Sequence, residues 1–218
     1  MTTSRAPRKR RANGEESRQK ILDAATEIAS ERGYEGTSIS LVSERSGLPA
    51  SSIYWHFTDK DGLIAAVIER SFGQWLDGVG LLDDLPEDGV PAAALDAVMQ
   101  RNAKALLQSG DFLRLGLMLA LERRPQEPAA RRMFLQVRDE AARRVVHLYR
   151  ALFGDLDDAG IRQLATFTMA MADGLFIARE IDGDAVDMLE QFNILTAAIL
   201  AVAENLRTAR PKPKKRAR

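Results

Sequence analysis

The chain has 218 residues, 45% of them hydrophobic, enough for one sizeable core or for a small domain joined to a larger one, and too many for wholesale disorder. It contains no cysteine, which excludes disulfides, thiolate metal sites and a cysteine nucleophile. Its longest fully apolar runs, 197–203 and 63–68, fall far short of the ~20 residues a membrane span needs. No basic-then-apolar segment opens the chain, so the expectation is a cytoplasmic protein.

The net charge of zero hides a separation of charge. Arg5, Arg8, Lys9, Arg10 and Arg11 open the chain, and seven more basic residues run from Arg207 to Arg218 at its end. Without those twelve, 19 basic residues face all 31 acidic ones, a balance of about −12. Like-charge blocks at chain ends suit an acidic partner, nucleic acid first; a solvated tail is the other reading.

In chain order, residues 1–13 read as a flexible basic arm around Pro7. Ile21, Ala25, Ile28 and Ala29 then form an apolar helical stripe that stops at Gly33. A short helix over 38–45 carries Ile39 and Val42, Gly47-Leu48-Pro49 makes a turn, and a second short helix holds Ile53 and Phe57. Asp59 suits the N-cap of the next helix, whose stripe is Leu63, Ile64, Val67 and Ile68. Residues 82–91 read as a loop. Helical periods resume over 92–108, 111–124, 129–153, 158–181 and 185–207, divided by Ser109-Gly110, Pro125, Gly154 and Asp182-Gly183-Asp184. No run alternates with period two, so an all-α protein of about nine helices is predicted, with no internal repeat.

Two short helices joined by a glycine-containing turn have the helix-turn-helix pattern, in which the second helix enters the DNA major groove. Ile39, Val42, Leu48 and Ile53 supply the small or branched apolar interior that such a crossing needs. The run Gly33-Tyr-Glu-Gly-Thr37-Ser-Ile, then Ser46-Gly47-Leu48, then Ile53-Tyr54-Trp55-His56-Phe57-Thr-Asp-Lys60-Asp-Gly-Leu63, is sharper. It resembles the tetracycline-repressor (TetR) family over roughly residues 15–70. The resemblance implies a three-helix DNA-binding domain (14–75, with the start of a connecting helix), a helical ligand-binding and dimerisation domain (76–207) and a basic tail (208–218). It also implies a homodimer that binds a palindromic operator, usually represses, and is released by a small effector.

Carried over by that resemblance, Tyr54, Lys60, His56 and the hydroxyl pair Thr37 and Ser38 would contact DNA phosphates, which position the protein without reading bases. Base reading then falls to Ala50, Ser51, Ser52 and Trp55. None of these makes the bidentate contacts of Arg, Asn or Gln, so thymine methyls and DNA shape would carry specificity. The domain departs from a simple basic footprint: between Glu15 and Arg70 stand ten acidic and six basic residues. That shifts weight to the arm, with Arg10 and Arg11 in a minor groove or on phosphates. Leu41 also stands where the family usually has a polar residue, which removes a reciprocal capping partner.

Small residues Ala165, Ala170, Ala172 and Gly174 with Phe167, Met169, Met171, Leu175 and Phe176, and Ile194, Leu195, Ala198, Ile199 and Val202 opposite, suit a dimer interface through the last two helices. A pocket for a largely apolar effector is expected from the family. Its candidate lining is Trp75, Leu95, Met99, Phe112, Leu115, Met118, Leu119 and Met169, with Asn102, Glu122, His147 and Asp173 as polar anchors. No metal, cofactor or catalytic residue is expected: there are two histidines, no glycine-rich phosphate loop and no spaced ligand cluster. Asp139 and Glu140 are adjacent and do not face each other on a helix. The alternative to a regulator is a helical protein-interaction adaptor without specific DNA binding; an intact Tyr54, Lys60 and Gly47 speak against it.

Overall fold

The structure is a computed structural model that describes residues 6–80, 92–122 and 128–208, with side chains from residue 13 and, after the first gap, from residue 94. Among the described residues there are nine α-helices and one 3-10 turn, and no strand. They are α1 (Ala6–Gly36), α2 (Ile39–Ser46), α3 (Ala50–His56), α4 (Lys60–Val79), α5 (Ala92–Ser109), α6 (Asp111–Leu121), α7 (Ala129–Leu152), α8 (Asp158–Asp182) and α9 (Met188–Thr208). The expected loop at 82–91, Pro125 and the tail beyond Thr208 lie outside the described residues.

The chain divides into two compact units. The first comprises residues 1–74 and 109–137; the second comprises 75–108 and 138–218. The first unit therefore takes in α6 and the opening of α7 as well as the three N-terminal helices and most of α4. Sequence periodicity shows which faces are apolar but not which distant helix covers them, so the return of residues 109–137 to the first unit is not legible in it.

In the first unit Ile21, Leu22, Ala25 and Ile28 of α1, Val42 of α2, Ile53 of α3 and Leu63, Ile64, Val67 and Ile68 of α4 are buried together. Phe72 meets Phe112 of α6 edge to face, with ring centres 5.5 Å apart. Ser71 ties the same corner by donating to the Ser109 carbonyl and accepting from the Phe112 amide, both at 3.1 Å. Helix α1 begins at Ala6, so the backbone of the predicted arm is helical beyond its first five residues. The physical reason is local: after Pro7, which suits a first helical turn, come Arg, Lys and Ala, all good helix formers.

Gly33 interrupts α1 at φ 68°, ψ −173°, a combination open to glycine alone, and turns the chain toward α2. Ser38 caps α2 by accepting from the Leu41 amide at 3.3 Å. Asp59 does the same for α4 through the Gly62 amide at 2.8 Å. Helix α7 starts behind Pro128. Its first amides, from Ala129 and Ala130, donate to the Asp61 carboxylate of α4, which also accepts from the Tyr34 hydroxyl. Asp61→Ala removes a charged cap and leaves those amides without their acceptor. It is expected to cost about 1–2 kcal/mol, read as a lowered urea midpoint at unchanged slope.

In the second unit, Leu95 and Met99 of α5, Leu148, Tyr149 and Phe153 of α7, Leu164 and Phe176 of α8, and Phe192, Leu195 and Ile199 of α9 are buried. Gln100 links α5 to α9 through the Leu189 carbonyl at 3.0 Å and the Asn193 side chain. No described helix is long and apolar enough to cross a membrane.

Candidate nucleic-acid interface

The turn between α2 and α3 pivots on Gly47, whose φ of 68° and ψ of 14° lie in the left-handed region. Ser43 locks it by donating to the Leu48 carbonyl at 2.7 Å. Helix α3 is anchored by Ile53, which is fully buried, and by Phe57 just beyond its end. With those residues inward, the helix turns the others out. Tyr54 and Trp55 are 57% and 75% exposed, unusual for large apolar side chains and well placed to touch a partner. Ser51 is exposed, and Ala50, Ser52 and His56 are half-buried.

Trp55 does not hang free. Its ring meets His56 edge to face at 4.5 Å, and its outer edge lies against α1, 3.6 Å from where a Cβ on Gly14 would sit. The indole is thus held at the junction of α3 and α1. Burial and the nearby Arg18 guanidinium hold the His56 imidazole below its usual range, against a smaller pull from Glu15. At neutral pH it therefore offers a hydrogen bond and no charge.

One expected contact needs correction. Thr37 is 1% exposed and its hydroxyl donates to the Gly33 carbonyl at 2.8 Å, so it stabilises the α1–α2 corner and presents nothing outward. Its neighbour Ser38 is the cap, paired with the Ser40 hydroxyl at 2.9 Å on the accessible side. The sequence pair looks symmetric, but the chain reversal after Gly33 buries the first hydroxyl and leaves the second near the surface.

Lys60 is also more structural than its motif position suggests. Its ammonium donates to the Tyr34 carbonyl at 3.2 Å, lies 4.3 Å from the centre of the Tyr34 ring, and sits 3.6 Å from the Glu35 carboxylate. Other cations of this domain are similarly engaged. Arg45 pairs with Glu27 and Glu31, Arg70 with Asp23, Lys20 with Glu16, and Arg18 lies over the Phe57 ring. Five of the ten acidic residues are paired in these contacts, and the domain keeps its acidic excess. The side chains of Arg10 and Arg11 lie outside the described residues.

The second unit holds a small cavity of about 50 Å³. Its lining includes Trp75, Met99 and Asn102, three of the candidate pocket residues, together with Val98, Arg144, Leu148, Tyr149 and Thr168. Trp75 donates its indole N–H to the Asn102 side-chain oxygen at 2.9 Å. Leu95 is buried beside this region on α5 but is not part of the lining. Phe112, Leu115 and Leu119 are core residues of the first unit, and Met118, 51% exposed, packs against Gly33. Glu122 and His147 are exposed, Met169 is half-buried, and Asp173 is engaged by Arg138. Those residues share helical faces with the lining in sequence, but the folding of α6 into the first unit removes the α6 group from it. Tyr149 and Thr168 were not foreseen; 19 residues apart on different helices, they carry no pairing signal in the sequence.

The comparisons with known proteins agree with this architecture. Residues 21–67 match the family model described as bacterial regulatory proteins, tetR family. Through that stretch the chain is similar to the TetR family. Over 201 residues the chain is 28% identical to the transcriptional repressor AcnR of Corynebacterium diphtheriae, covering 89% of the chain and 93% of that protein. Over 64 residues it is 38% identical to the transcriptional regulator AcrR of Shigella flexneri, covering 29% of the chain and only 30% of that protein. Among solved structures, SmeT in complex with triclosan superposes with a TM-score of 0.69 at 21% identity, covering 85% of this chain and 90% of that one. A transcriptional regulator from Rhodococcus sp. RHA1 does so at 0.66 and 17%, covering 89% and 99%. At those identities the likeness to the solved structures is one of fold. AcnR and AcrR are named as transcription regulators.

Proposed function

We propose that this regulator is a ligand-responsive repressor that acts in the cytoplasm as a homodimer. Helix α3 enters the major groove of a palindromic operator, and a small, largely apolar effector releases the protein. The observation that carries the DNA reading is the outward face of α3: Tyr54 and Trp55 exposed on a helix whose inner face is fixed by Ile53 and Phe57. Ser38, Tyr54, His56 and Lys60 would engage phosphates, the last while keeping its Tyr34 contact, since an ammonium has three donors. Ala50, Ser51, Ser52 and Trp55 would face base edges, and Arg10 and Arg11 on the first turns of α1 would add phosphate contacts.

The dimer reading rests on a second apolar stripe. On α8, Met171, Ile177 and Ile181 are exposed, with Ala170 and Gly174 in the same helical register. On α9, Ile194 and Leu200 are exposed beside Ala197 and Ala201. Small residues among large apolar ones let two copies approach closely, and a two-fold axis would pair each stripe with itself. The effector reading is supported by the cavity and by the triclosan complex of SmeT, a protein of the same fold.

The test is fluorescence anisotropy on duplexes that include the DNA flanking the protein's own gene, over a series of salt concentrations. Binding to one palindromic duplex should saturate at an even number of chains. A Tyr54→Phe, Trp55→Ala variant, altered where both side chains face solvent, should keep its fold and lose affinity on the order of tenfold or more. Sequence-blind binding, equal in both proteins, would remove the function from α3 and favour an adaptor.

A further inference from the structure

The cavity of the second unit has a hydrogen-bond polarity that follows from its own contacts. An indole N–H can only donate, so its 2.9 Å contact fixes the Asn102 oxygen toward Trp75 and turns the side-chain amide N–H₂ the other way. Those two donors have no protein partner among the described residues. Elsewhere in the lining the Thr168 hydroxyl gives its single proton to the Leu164 carbonyl at 3.0 Å. Tyr149, 2.6 Å from the Thr168 oxygen, must therefore be the donor in that pair. Its oxygen is left as an acceptor only, and burial holds the phenol far above its ordinary ionisation range, so it stays neutral. Arg144, also in the lining, is charge-compensated by Glu140, whose carboxylate accepts from its Nε at 2.8 Å. The remaining lining is apolar and includes Val79, Val98, Met99, Ala141, Val145 and Leu148.

Resting on the effector reading above, we infer that this cavity selects uncharged, mainly apolar molecules bearing a hydroxyl, with Asn102 donating to the ligand and Tyr149 accepting from it. A carboxylate would satisfy Asn102 but would meet an acceptor-only phenol oxygen, with the lining cation, Arg144, already paired to Glu140. A pure hydrocarbon would leave the Asn102 amide without a partner once water is expelled. At about 50 Å³ the cavity is smaller than pockets that hold drug-sized ligands, roughly 300–1,000 Å³, so entry requires the wall to yield. Met99, unbranched and adaptable, is the side chain suited to that.

The probes are 4-propylphenol, propylbenzene and 4-propylbenzoate, of nearly equal shape. They are titrated into the full chain by calorimetry, and into a Trp55→Phe background in which Trp75 is the sole tryptophan and reports from the cavity wall. The phenol is expected to bind about three- to tenfold tighter than propylbenzene, with the benzoate weakest. Tyr149→Phe and Asn102→Ala should each bring the phenol toward parity with propylbenzene. The first of these keeps the ring and the fold if the second disturbs Trp75. Parity of phenol and hydrocarbon in the unaltered protein would overturn the polarity assignment, as would preference for the benzoate or failure of all three to bind. The effector reading fails separately: a phenol that binds with the expected preference yet leaves operator affinity unchanged would keep the site and remove its regulatory role.

Discussion

Gly116→Ala is expected to destabilise the protein by about 1–3 kcal/mol, although alanine is the better helix former by about 1 kcal/mol. Gly116 lies in the middle of α6, and a Cβ there would fall 1.9 Å from Cδ2 and 2.3 Å from Cγ of Phe134. Phe134, on α7, is 1% exposed and cannot swing into solvent. The two helices are in contact because one has no side chain where the other has a ring. Adding a methyl forces either an off-rotamer phenyl or a separation of α6 from α7. Gly73→Ala in α4, with nothing within 4 Å of its added Cβ, is the matched control and should stabilise by about 0.5–1 kcal/mol. Thermal unfolding should move in opposite directions for the two, by about 2–4 °C per kcal/mol at this chain length. Restored stability in Gly116→Ala, Phe134→Ala relative to Phe134→Ala alone would assign the effect to this contact. Equal shifts for the two glycines would refute the packing argument.

Ile194→Asp is expected to leave each chain folded and to abolish dimerisation. Ile194 is 57% exposed in the single chain, so a carboxylate there stays hydrated and costs the protomer little. In a two-fold assembly the substitution appears twice, and it would bury two like, unpaired charges in an apolar contact. Light scattering after gel filtration should report a monomer of about 24 kDa, in line with the 24.1 kDa of the chain. Operator affinity should fall on the order of 100-fold or more, because two linked reading heads lose their mutual effective concentration. A dimer that survives the substitution with its operator affinity intact would place the interface elsewhere.

The two substitutions also separate what could be read along the chain from what could not. The helices were legible because their signals are local. The stripes at Ile21–Ala29 and Leu63–Ile68, the Asp59 cap and the Gly47 turn depend on neighbours within a few residues, and each has the predicted geometry. The helix-turn-helix was legible for the same reason, since α1, α2 and α3 are consecutive and its interior residues lie within one short stretch.

Tertiary structure decided the rest. Thr37 and Ser38 are adjacent hydroxyls, yet a glycine four residues upstream determines that one is buried and the other caps a helix. Asp61 reads as an ordinary first-turn carboxylate of α4, but it caps α7 from 68 residues away. The α6 residues carry the same apolar spacing as a pocket wall and belong to the core of the first unit. Nothing local distinguishes these outcomes. Periodicity specifies that a face will be buried, because hiding apolar area is favourable wherever it happens. Which helix covers that face, and which donor meets which acceptor there, depends on the close packing and directional hydrogen bonds of residues far apart in the chain.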